Sequence, residues 1–245
     1  MRGIVWHASV ISVPMLTICH VVTLYRLLMI PSAGRLDAAT VKVADTYSGY
    51  GELCRSEVEG KDYRIALSHG RSGIAVMAPH GGNIEPGTSE IARAIASADH
   101  TFYGFEGLKS RGNRKLHITS TAFDEPLCLN VLGGSKAVVI LHGCKGNEEE
   151  VYLGGQDARF KSILADHLRQ AGFHVGSRTD LRGRDTRNLC NGCLNGTGVQ
   201  LELSTGLRRL MFRDLTDEGR KNTTPMFITF VSAVRQALSF HGIGD

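Results

Sequence analysis

From Tyr47 onward the chain alternates short, nearly continuous apolar runs with stripes of apolar residues at helical spacing. The runs Ile74–Ala78, Ala137–Leu141 and Val199–Leu203 predict strands, and Leu116–Thr119 and Phe173–Val175 predict weaker ones. Runs without a polar alternate belong to strands covered on both faces, the habit of a sheet sandwiched by helices. Between them, Thr88 is placed to cap a helix over Ser89–Ser97, where Ile91, Ala92 and Ile95 form one stripe. A second stripe, Phe160, Ile163, Leu164 and Leu168, stops at Gly172, and a third follows Pro225 through Phe227, Phe230, Val231, Val234 and Leu238. All three stripes read as core. The pattern predicts an α/β fold, an open, twisted, mostly parallel sheet flanked by helices.

The N-terminal stretch is different in kind. Residues 3–30 are mostly apolar, follow Arg2 and end before Pro31-Ser32-Ala33-Gly34, as a signal peptide would. His7, His20 and Arg26 interrupt the run, no small-x-small cleavage site follows, and no stable membrane span is expected. Residues 1–40 are therefore set apart as an apolar leader or an N-terminal extension, and residues 41–245 as one catalytic domain. Cytoplasmic and released locations both stay open.

Two strand ends carry the candidate chemistry. His80 follows the run Ile74–Ala78 within Ala78-Pro-His-Gly-Gly-Asn-Ile-Glu-Pro-Gly-Thr88, and His142 follows Ala137–Leu141. Ligands bind outside the carboxyl ends of strands in an open α/β sheet, so neighbouring parallel strands would aim both imidazoles at one place. Gly81 and Gly82 let the chain fold back and return Glu85 to the same point. Two histidines and one carboxylate with a fourth position open make the pattern of a hydrolytic zinc site holding one ion. Amide hydrolysis also needs a base, and Glu202 is the candidate, a lone carboxylate in the apolar strand Val199–Leu203. An ion pair between Glu202 and Arg208 or Arg209 is the competing structural role. His117 reads as a hydrogen-bonded core histidine, and Cys144, adjacent to His142, as a weak rival nucleophile.

Composition narrows the class. In 245 residues, 42% are hydrophobic and 21% charged, ordinary for a globular protein. The net charge of +4 is too small for a dedicated nucleic-acid binder. Basic residues gather at Lys109, Arg111, Arg114 and Lys115 and at Arg178, Arg182, Arg184 and Arg187, as solvated surface or as a rim attracting a polyanion. Cys190 and Cys193 have no second cysteine pair to complete a zinc knuckle, which leaves a local thiol pair.

The stretches Ala78–Ala92, Leu116–Pro126, Leu141–Gly146 and Gly198–Ser204, in that order, resemble the poly-gamma-glutamate hydrolase family of bacteriophages and bacteria over roughly residues 45–240. The resemblance implies a zinc-carboxypeptidase-like fold, zinc on His80, Glu85 and His142, Glu202 as general base, and cleavage of gamma-glutamyl bonds in a polyanionic polymer or peptide. Arg182, Arg187, Asn188, Asn191 and Arg208 flank the Glu202 strand and are candidates to hold substrate carboxylates. A monomer with no nucleic-acid partner is expected. Two rivals remain. One is a zinc amidase acting on peptidoglycan peptides or N-acyl amino acids; the other is a non-catalytic phage-related replication protein, a description some members carry.

Overall fold

Strands β1 (Tyr63–Ser68), β2 (Ile74–Gly82), β3 (Thr101–Gly107), β4 (Ala137–Cys144), β5 (Glu150–Gly154), β6 (His174–Gly176) and β7 (Val199–Ser204) form one sheet in the order β1-β3-β2-β4-β7-β5-β6. The computed structural model describes residues 44–242, so the expected leader at 1–40 lies outside the described residues. At the centre β3, β2, β4 and β7 run parallel; β1 is antiparallel to β3, and β5 to β7, with β6 parallel to β5. The mostly parallel sheet expected from the apolar runs is present, with antiparallel flanks.

Strand alternation sorts the core into two layers. Val76, Ala78, Val139, Leu141, Leu201 and Leu203 face helices α2 (Thr88–Ala96), α4 (Ala158–Gln170), α5 (Thr205–Met211) and α6 (Pro225–Gly242). The alternate residues Ala75, Met77, Val138 and Ile140 face α1 (Tyr50–Ser56), α3 (Pro126–Gly133) and the segments around Ile118 and Leu189. Full burial of an aliphatic or aromatic side chain stabilises by about 1.5–3 kcal/mol, and both faces supply many such residues. Among the described residues no helix is long and apolar enough to cross a membrane.

The three predicted helices and the three clear strands are all present, β2 and β4 running on past Ala78 and Leu141 to include both histidines. Phe173–Val175 is β6, displaced by one residue. Leu116–Thr119 is not a strand. Leu116 closes a 3-10 turn begun at Asn113, the His117 N–H returns to the Arg114 carbonyl at 3.2 Å, and the Thr119 N–H goes to Asp45 at 2.6 Å. Nor does Thr88 cap α2: Gly87, at φ 99°, occupies that position, and the Thr88 hydroxyl donates outward to the Glu85 carbonyl at 2.9 Å.

Candidate metal centre

One irregularity in the sheet creates the site. In β2, Ala78 pairs with Gly104 of β3 but Gly81 pairs with Glu106, so Pro79 and His80 together stand opposite the single residue Phe105. Such an extra residue is a β-bulge, which re-aims the side chains that follow it. Strict alternation would send His80 with Ala78 to the α2 side; with the bulge it joins His142 on the other face, the Nδ1 atoms 3.1 Å apart. Proline suits this position, since it has no N–H to contribute to the ladder.

The loop after the bulge brings Glu85 back. Gly82 sits at φ 60°, the Ile84 N–H bonds to the Gly81 carbonyl, and the Glu85 N–H bonds to the His80 carbonyl at 2.9 Å. Gly81 is glycine because a Cβ there would lie 2.9 Å from the Ser89 side chain. The Glu85 carboxylate then reaches His80 Nδ1 at 3.1 Å with one oxygen and the Gly143 N–H at 2.8 Å with the other, which is 3.5 Å from His142 Nδ1.

The outer hydrogen bond of His80 fixes its tautomer. His80 Nε2 lies 2.8 Å from the Ile118 carbonyl, which can only accept, so Nε2 carries the proton and Nδ1 offers a lone pair. His142 Nε2 is turned to Ser120 Oγ at 3.1 Å, a hydroxyl able to accept from it and leave Nδ1 with a lone pair. Two lone pairs and a carboxylate therefore converge, with one ligand atom of each residue within 4.8 Å of the others. Acceptors this close require positive charge between them. Two nitrogens on a tetrahedral zinc, each about 2.05 Å from it, stand about 3.3 Å apart, close to the spacing found. The donor set therefore fits one zinc ion. Outer hydrogen bonds of this kind contribute about 10–100-fold to metal affinity, so Ser120→Ala is expected to weaken zinc binding by roughly tenfold, read by competition with a chromophoric chelator.

Electrostatics follow from the crowding. Burial opposes charge on Glu85, but with protons in place of a metal on their Nδ1 atoms, His80 through its charge and hydrogen bond and His142 likewise outweigh it and hold the carboxyl well below its usual range. Burial likewise works against a proton on His142, and there too the partners prevail: Glu85 and Glu202 raise its pKa.

Glu202 is the register partner of His142 on the adjacent parallel strand and points to the same face. Neighbouring strands lie about 4.8 Å apart. Burial pushes its carboxyl up, His142 pulls it back and Glu85 pushes again. No ion pair with Arg208 or Arg209 forms; Gln200 Nε2 donates to it at 3.1 Å. Tyr152 continues the same row from β5, with Arg178 5.5 Å above its ring and near enough for its charge to be felt at Glu202.

The expected substrate residues divide. Arg182 and Arg187 are exposed in the loop beside β7, Arg187 paired with Asp185 at 2.7 Å. Asn188 and Asn191 serve the loop itself: Asn188 accepts from the Cys190 N–H, and buried Asn191 donates to the Gly183 and Asp185 carbonyls and accepts from the Gln156 N–H. Arg208 is buried, its guanidinium engaged with backbone carbonyls, so it does not reach a surface where a carboxylate chain would lie. Cys144 is pushed up to about 12 by burial and by the Glu202 charge, which keeps it a thiol, and Cys190 and Cys193 are free cysteines.

Behind His80 stands His117, hydrogen-bonded as the sequence suggests but beside the site, and paired with Asp45, which the sequence pattern did not single out. His117 lies ring to ring with His80 at 4.1 Å, donates from Nδ1 to Asp45 at 2.6 Å, and brings Nε2 to 3.9 Å from Glu85. Burial and the His80 charge hold His117 down at about 4, so it is neutral at physiological pH.

A sequence profile of the poly-gamma-glutamate hydrolase family matches residues 47–233. The chain is 37% identical over 199 residues to the protein YmaC of Bacillus subtilis strain 168, covering 79% of this chain and 84% of that one. It is also 34% identical to the SPbeta prophage-derived protein YoqZ of the same strain, covering 82% and 74%. Among solved structures it is similar to a bacteriophage poly-gamma-glutamate hydrolase, with TM-score 0.79, 31% identity and coverage of 82% and 100%. It is also similar to the zinc-free form of YndL, with TM-score 0.77, 34% identity and coverage of 80% and 98%.

Proposed function

The chain belongs to the poly-gamma-glutamate hydrolase family, and from that premise we propose that it cleaves gamma-glutamyl amide bonds with one zinc ion held by His80, Glu85 and His142. Zinc bound there supplies Lewis acidity, polarising a carbonyl and lowering the pKa of a water from about 15.7 to about 7. The observation that carries the proposal is the meeting of three acceptor atoms beside a buried, unpaired carboxylate in adjacent register.

The residues of the chain divide the remaining work. Glu202, in register beside His142, takes the proton of the attacking water and delivers it to the departing amine nitrogen. His80 donates from Nε2 to the Ile118 carbonyl and His142 Nε2 bonds Ser120, which keeps both Nδ1 atoms aimed at the centre. A gamma-linked glutamate chain carries one free carboxylate per residue. The exposed Arg182 and Arg184 in the loop beside β7 supply cations for such a polyanion, while Arg178 and Arg187 in the same loop are held by Asp180 and Asp185.

Digestion of poly-gamma-glutamate followed by mass spectrometry of the products tests the assignment. The expected result is a ladder of gamma-linked oligomers, abolished by a chelator and restored by zinc. Intact polymer together with efficient cleavage of peptidoglycan stem peptides or N-acyl amino acids would reassign the substrate to the broader amidase class.

A further inference from the structure

We propose that Arg208 is a positioning residue for the metal site, a buried strap that ties together the three chain segments carrying Glu85, His142 and Glu202. The inference rests on the metal reading above.

Arg208 lies in α5, the helix that follows β7, and is 4% exposed. Its guanidinium donates to three carbonyls from three segments. Nη1 reaches Pro86, the residue after Glu85, at 2.7 Å. Nη2 reaches Cys144, two residues after His142, at 3.1 Å. Nε reaches Leu203, the residue after Glu202, at 3.1 Å. Thr205 completes the cradle, its hydroxyl accepting from Nη2 at 3.2 Å while donating to the Cys144 carbonyl at 3.2 Å.

The backbone is shaped around this group. A Cβ on Gly143 would stand 2.7 Å from Arg208 Cζ and 3.0 Å from Nε, so the glycine between His142 and Cys144 makes room for the guanidinium. The N–H of that same glycine donates to Glu85. Arg208 therefore packs against Gly143, whose N–H orients one ligand and which follows a second, and bonds the carbonyl of the next residue. The loop carbonyl of Pro86 has no strand partner of its own, and Arg208 gives it one. Burial lowers the Arg208 pKa, and the Glu85 and Glu202 charges oppose that loss. A lysine retains the charge but has no planar fork to span three carbonyls.

The test compares wild type with Arg208→Lys. Zinc affinity of the metal-free protein is measured by chelator competition, beside kcat and KM on poly-gamma-glutamate and the thermal melt. Loss of such a support is expected to weaken zinc binding about 10–100-fold and to lower kcat comparably while KM stays within about twofold. A role in stability alone would lower the melting temperature and leave zinc affinity and kcat of the folded protein unchanged. Wild-type affinity and turnover in a folded Arg208→Lys protein would overturn the proposal. Should that variant not fold, Thr205→Val decides: removal of one supporting hydrogen bond is expected to weaken zinc binding about 2- to 10-fold, and unchanged affinity overturns the strap. A wild type that takes up no zinc defeats the metal reading itself, an outcome distinct from either.

Discussion

Glu202→Gln is expected to lower kcat/KM about 10³-fold, within the range that a positioned general base supplies, while zinc affinity stays near wild type. The same substitution is expected to stabilise the metal-free protein at neutral pH. Glu202 has a folded pKa above its ordinary 4.5, so the folded chain holds that proton more tightly than the unfolded one. Stability linked to this group is then fully present below about pH 4.5 and falls as pH rises towards the folded value. Glutamine carries no such penalty. Melting curves of the two proteins should converge in acid and separate towards neutrality, with the variant higher. A glutamine variant that turns over at the wild-type rate would remove Glu202 from the mechanism.

His80→Ala should lose zinc outright at concentrations that saturate wild type, a larger effect than the roughly 10–100-fold of an outer partner, and should reduce hydrolysis to background. His174→Ala is a suitable control, since that side chain is 70% exposed and pairs with Glu150 away from the cluster. Zinc uptake should also release protons. The pKa of His142 is raised above 6.5, so below that folded value the metal-free protein carries a proton there that the ion must displace, and affinity falls as pH is lowered. Equal zinc content in His80→Ala and wild type would contradict the ligand assignment.

The meeting of His80, Glu85 and His142 was legible because each histidine terminates a recognisable apolar strand and the intervening glycines announce a turn. Glu202 was legible for a related reason, as a charge inside a run that otherwise excludes it. What escaped depends on contacts distant in sequence. Asp45 reaches His117 and Thr119 across more than seventy residues, and no local pattern encodes that pairing. The same contact explains why Leu116–Thr119 reads as a strand without being one: its backbone donors are satisfied by a turn and a carboxylate. Strand β3, with Phe102, Tyr103 and Phe105, has good strand residues but is broken by Gly104, which closes the apolar run to inspection. Arg208 misled in another way. A guanidinium beside a polyanion site suggests substrate, whereas burial commits its donors to the backbone.

Bulges in a ladder are able to migrate by a residue, and here neither direction of travel gives a working protein. Moved one way, the centre would receive Pro79, and moved the other, Gly81; neither side chain has an atom that binds a cation. The first slip would also carry His80 into the place of Gly81 and press its imidazole against Ser89 and Glu106, where even a methyl group is too close. One frame of the sheet thus assembles the ligands, and one of the two slips away from it is opposed by the same close packing that shapes the site.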